Sequence, residues 1–88
     1  MIFFKNCPVS VIMITDKDKI KLKKIGKRIK ELRRRKGLTQ LELAGDLNTD
    51  RGYISRIELG AVDVRLTSLL KLCEALDVDI KELFNFPH

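Results

Sequence analysis

Eighty-eight residues with a formal net charge of +6 and only two cysteines make one small domain with a single modest core, too small to enclose a deep catalytic cleft. The charge is unevenly placed: residues 17–36 hold twelve Lys/Arg against Asp18 and Glu31, whereas residues 37–88 hold five Lys/Arg against nine Asp/Glu. With a lone histidine at His88 and the cysteines at Cys7 and Cys73 far apart, the sequence offers no zinc cluster, phosphate-binding glycine loop or Ser/His/Asp set, and it is read as non-enzymatic, with no cofactor.

Residues 1–15 form an N-terminal arm. Its β-branched and aromatic content favours extended structure, and Pro8 interrupts any helix. The apolar run is broken by Lys5, Asn6 and Pro8, which argues against a signal peptide, and it is too short to span a bilayer. Pairing as a strand across a dimer and packing back on its own domain are equally good readings, and simple disorder is the third. A buried free thiol at Cys73 fits a reducing, cytoplasmic setting better than a disulfide does.

A long first helix starts at Thr15, which with Asp18 has the form of a capping box. Leu22, Ile25, Ile29 and Leu32 recur at spacings of three, four and three, so they give one inward stripe. Gly37 ends the helix where a positive φ costs least. Lys23, Lys24, Lys27, Arg28, Arg34 and Arg35 fall on the other faces, a basic stripe suited to polyanions by counterion release, or else simply a solvated surface.

The next two elements are short helices joined by a tight turn. Thr39 and Glu42 make a second capping box, with Leu38 and Leu43 as its hydrophobic staple. Leu43, Ala44 and Leu47 point inward, and the chain turns at Asn48 and Thr49. Asp50, or failing it Thr49, caps the following helix, whose inward positions are Ile54 and Ile57. Arg51, Gly52, Ser55 and Arg56 are left facing outward, and arginine offers a bidentate fork to guanine. This is the sequence form of a helix-turn-helix.

A fourth helix carries Leu66, Leu69, Leu70, Leu72, Cys73 and Leu76, apolar over more than half its circumference, which predicts a central position. It has no good cap at Arg65. Asp79 with Glu82 predicts a third capping box, and Val78 with Leu83 a staple, for a fifth helix over about 80–85 that ends before Pro87. Phe84 and Phe86 are either the last of the core or part of a subunit contact.

The blocks Gly37-Leu38-Thr39-Gln40, Asp50-Arg51 with Tyr53-Ile54-Ser55-Arg56-Ile57-Glu58, and Leu69 to Val78 with Glu82-Leu83-Phe84 closely resemble the Cro/lambda-repressor-type (XRE) helix-turn-helix proteins. The resemblance covers residues 22–86. It implies an all-α, five-helix lambda-repressor-like domain over 16–88, with the helix-turn-helix at about 39–58 and the short extended arm preceding it. It also implies that Thr39, Gln40, Asp50, Arg51, Gly52, Tyr53, Ser55 and Arg56 are the DNA-binding residues, with the helix at 50–58 as the reader. Arg33 and Glu58 match a pair that forms a buried salt bridge in many relatives. Two departures stand out: Gly52 puts no side chain where relatives often carry a polar one, and the loop 59–64 has no lysine or arginine to clamp phosphate.

The function implied is a sequence-specific transcriptional regulator that binds operator half-sites in double-stranded DNA as a homodimer. The string from Asp50 to Ser55 also resembles that of the controller proteins of restriction-modification systems. An antitoxin, using the same domain for DNA and for a toxin partner, is the alternative; an interaction module that has lost DNA binding is disfavoured by the outward arginines at 51 and 56.

Overall fold

The computed structural model describes residues 14–86, which form five helices: α1 (Asp16–Arg35), α2 (Gln40–Asp46), α3 (Arg51–Glu58), α4 (Leu66–Leu76) and α5 (Ile80–Leu83). No strand occurs among the described residues. The expected arm structure and Cys7 lie outside them.

Two helices begin at the capping boxes read from the sequence. Asp18 donates its amide to Thr15 Oγ1 at 3.2 Å while its carboxylate accepts from the Thr15 amide at 3.0 Å. Glu42 and Thr39 repeat the arrangement at 3.0 and 2.8 Å. Each box occupies amides that a helix start otherwise leaves without partners. The backbone N–H of Thr15 is the largest cause of a lowered Asp18 pKa, and that of Thr39 does the same for Glu42. After α1 the chain reverses at Gly37, φ +78°. After α2 it turns at Asn48, whose φ of 56° is a left-handed conformation that asparagine tolerates better than most residues.

The core is made by Ile29 and Leu32 of α1, Leu43 and Ala44 of α2, Ile54 and Ile57 of α3, Leu69, Leu72, Cys73 and Leu76 of α4, and Leu83 of α5. The stripe of α1 is narrower than its pattern suggests, since Ile25 and Leu22 are only half-buried. A glycine of α1 packs against the end of α3. A Cβ built on Gly26 would stand 2.3 Å from the Ile57 carbonyl oxygen and 2.6 Å from that of Glu58, so the two helices touch backbone to backbone there. Lys36 donates to the Ala75 carbonyl at 3.0 Å, placing a cation at the C-terminal end of α4, where the helix dipole favours it.

Three expectations are corrected. Arg28 is not on the solvated basic face: it is 8% exposed, its Nε donates to the Glu82 carbonyl at 2.8 Å, and its terminal nitrogens reach Glu82 and Glu31 at 2.8 and 2.6 Å. The Asp79–Glu82 capping box does not form, because the Glu82 carboxylate is drawn across to Arg28 instead; α5 has no side-chain cap and stops at Leu83. The apolar circumference of α4 is not wholly buried either. Leu66 and Leu70 are 63% and 47% exposed, one turn apart, and Phe84 beyond α5 is 39% exposed.

Candidate nucleic-acid interface

The reading helix is placed by its cap and by its contact with α1. Asp50 Oδ1 accepts from the Tyr53 amide at 2.7 Å, which makes Asp50 the cap and leaves Thr49 in the turn. Ile54 and Ile57 are sunk in the core. The register that buries them turns Arg51 and Arg56 to solvent, with Gly52 and Ser55 half-exposed beside them. Asp50 therefore serves the helix start.

Beneath this face a chain of polar contacts runs from the core to the surface. Arg33 pairs with Glu58 through two nitrogens, Nε to Oε2 at 2.6 Å and Nη2 to Oε1 at 3.1 Å, and its third nitrogen donates to the Leu38 carbonyl at 2.7 Å. Both partners are 7% exposed. The paired geometry and the extra acceptor are what make burial of two charges tolerable. Glu58 Oε1 accepts a further bond from Gln40 Nε2 at 3.0 Å, and Gln40 Oε1 accepts from Arg51 at 2.8 Å.

The direction of the Gln40 amide follows from chemistry. A carboxylate only accepts, so the Gln40 nitrogen must face Glu58 and its oxygen is left for a donor. Arginine is all donors, and Arg51 supplies one. The first residue of α3 is thus tied, through one glutamine, to a salt bridge inside the fold.

Arg56 is held differently. Its guanidinium carbon lies 6.0 Å from the centre of the Tyr53 ring, at the outer limit of a cation–π contact. Tyr53 itself is half-buried against the core, which fixes the ring under the cation. Thr39 spends its hydroxyl and amide on the capping box, and sits exposed next to Gln40 at the start of α2. Of the expected DNA-binding residues, Arg51 and Arg56 are exposed cations, Gln40 bonds Arg51, Tyr53 lies beside Arg56, Asp50 caps α3 and Thr39 caps α2, while Gly52 and Ser55 are half-exposed on the same face as the arginines.

The basic residues of α1 form a separate feature. Lys24, Lys27, Lys30, Arg34 and Arg35 line a groove of about 1000 Å³ closed on its other side by Asn85 and Phe86. None of its lining residues belongs to α2 or α3. Glu31 lies among these cations, and its hydrogen bond from Arg28 is the largest cause of a pKa below the usual carboxylate range.

Gly26 was the positioning residue that sequence reasoning passed over. Its signal was present, because a glycine inside a long helix costs about 1 kcal/mol relative to alanine and so asks for a reason. Arg28 had no comparable signal, since its partner lies 54 positions away. Among the described residues no cluster of His, Cys, Asp and Glu is arranged to hold a metal, and no helix is long and apolar enough to cross a membrane.

A family model described as helix-turn-helix matches residues 29–83, more than half of the chain. The control protein C.MunI of a Mycoplasma species is 36% identical over 63 residues, 70% of this chain and 85% of that protein. Among solved structures, the restriction-modification controller protein C.AhdI from Aeromonas hydrophila superposes with a TM-score of 0.72 at 44% identity, covering 75% of this chain and 96% of that one. The clp gene regulator ClgR from C. glutamicum gives a TM-score of 0.68 at 29% identity, covering 70% of this chain and 80% of that one.

Proposed function

The chain belongs to the helix-turn-helix family of DNA-binding transcription regulators, and from that premise we propose that it is a controller of a restriction-modification system. It reads operator half-sites through Arg51 and Arg56 as a homodimer. The observation that carries this reading is the relay Arg33–Glu58–Gln40–Arg51, which holds an exposed arginine at the start of α3 by bonds that originate in the core. An arginine fixed before DNA arrives loses less side-chain freedom on binding than a free one does. The likeness to two controller proteins across most of their lengths supports the same role.

The dimer brings two such helices to one duplex, and half-sites about one helical turn apart follow from that geometry. The exposed apolar residues Leu66, Leu70 and Phe84 are the surface we assign to the subunit contact. The lysines of α1 add affinity that does not depend on sequence. A regulator of this kind works in the cytoplasm, where its DNA is.

Selection from a randomised duplex pool tests the proposal. The expected product is a sequence with two inverted half-sites, whose recognition is relaxed by Arg51→Ala or Arg56→Ala at a cost of about 1–3 kcal/mol each. Neutralising Lys24, Lys27 and Lys30 should weaken selected and random duplexes alike and flatten the salt dependence. Arginine variants that weaken both kinds of duplex equally would remove α3 from the reading role.

A further inference from the structure

Gly52 is the second residue of an eight-residue helix, where glycine is a poor choice on backbone grounds. No positive φ demands it: the positive-φ glycines are Gly37 and Gly60. The space around it is what distinguishes it. At Gly45, in α2, an added Cβ would meet nothing within 4 Å; at Gly52 it would stand 3.2 Å from Asp50 Oδ1 and 3.4 Å from Arg56 Nη1.

Those distances say where the Arg56 guanidinium is. Arg56 follows Gly52 by four residues, so the two share a face of α3, and helical side chains lean toward the N-terminus. The Arg56 side chain accordingly runs back along α3, past the Tyr53 ring, and ends over Gly52. Arg51 presents its own guanidinium at the same end of the helix, tied to Gln40. The absence of a side chain at 52 thereby gathers two arginine forks at one end of the reading helix.

We propose that Gly52 determines the sequence preference of this protein by leaving vacant the space over the first turn of α3 that the Arg56 guanidinium occupies. The partner is a base edge with two acceptors, of which the O6 and N7 of guanine are the best match to an arginine fork. A side chain with atoms beyond Cβ takes that space and moves Arg56 along the helix, away from the base it reads. The inference rests on α3 being the DNA reader, as proposed above.

The test is a four-variant cycle of wild type, Gly52→Thr, Arg56→Ala and the double variant, read as affinity for the duplex selected by the wild type and for its single-base variants. Gly52→Thr should lose at least tenfold in discrimination at the base positions where Arg56→Ala also loses it, and should change discrimination less than twofold once Arg56 is absent. Melting temperature is recorded in parallel, and if the threonine variant fails to fold, Gly52→Ser, which also carries an atom beyond Cβ, takes its place with a smaller loss in the same positions. Equal effects of Gly52→Thr with and without Arg56 overturn the inference, because the new side chain would then be acting on DNA by itself. Unchanged preference in Gly52→Thr also overturns it. An Arg56→Ala variant with wild-type preference at every base sinks the reading role of Arg56 itself, which is a different failure from the other two.

Discussion

The Gln40 amide nitrogen lies 3.0 Å from the Glu58 carboxylate, so that a residue at the start of α2 is oriented by one at the end of α3. The orientation matters because the opposite end of the same amide faces Arg51. Gln40→Ala should therefore weaken binding to a selected duplex by about 1 kcal/mol, and the loss should shrink when Arg51 is already alanine. A double-mutant cycle on affinity reads the coupling. Additive losses would mean that Gln40 touches DNA on its own account and does not hold Arg51.

Glu58→Ala leaves Arg33 buried without its carboxylate, and the expected cost is about 3–5 kcal/mol of folding stability. Denaturant unfolding measures it. A loss under about 1 kcal/mol is the value typical of an exposed pair, and would contradict the burial of this one.

Gly26→Ala should destabilise although it raises helix propensity. The added Cβ meets backbone oxygens, which cannot rotate away as a side chain does. The helices must separate, at a cost on the order of 1–3 kcal/mol, and the reading helix must shift with them. The expected result is a lower melting temperature together with weaker DNA binding, and a variant as stable as wild type would show that the two helices do not touch there.

Acid should loosen the starts of α1 and α2. Asp18 and Glu42 have lowered pKa values, chiefly through the backbone N–H groups of Thr15 and Thr39. A carboxylate with a lowered folded pKa adds stability above its ordinary value, here 4.5 for Glu42, and the contribution disappears as pH falls through the folded value. Melting temperature should drop as the pH is taken below those ordinary values and on through the lowered ones, and Glu42→Gln should flatten part of that drop, since glutamine can keep the box without titrating. An unchanged acid limb in Glu42→Gln would exclude Glu42 as a contributor.

The parts of this fold that were legible in the sequence are those that local chemistry dictates. Thr15, Thr39 and Asp50 each announce a helix within three residues, and the apolar spacing of Ile29, Leu32, Ile54 and Ile57 states which face goes inward. The Arg33–Glu58 geometry could be expected only through resemblance, because no local pattern joins residues 25 apart. A long-range partner can override a local signal. Glu82 has the spacing of a capping residue for Asp79, but a buried guanidinium binds a carboxylate more strongly than an exposed amide does, and Arg28 takes it. Leu66 and Leu70 looked interior by composition alone, since periodicity does not say how many faces of a helix have neighbours.

The contact between Gly26 and the carbonyls of Ile57 and Glu58 bears on how a movement of one helix is passed to the other. With main chain against main chain, no side chain stands at this crossing to act as a spacer that could lengthen, shorten or rotate. A displacement of α1 at Gly26 must therefore reach the end of α3 as a displacement of the main chain itself.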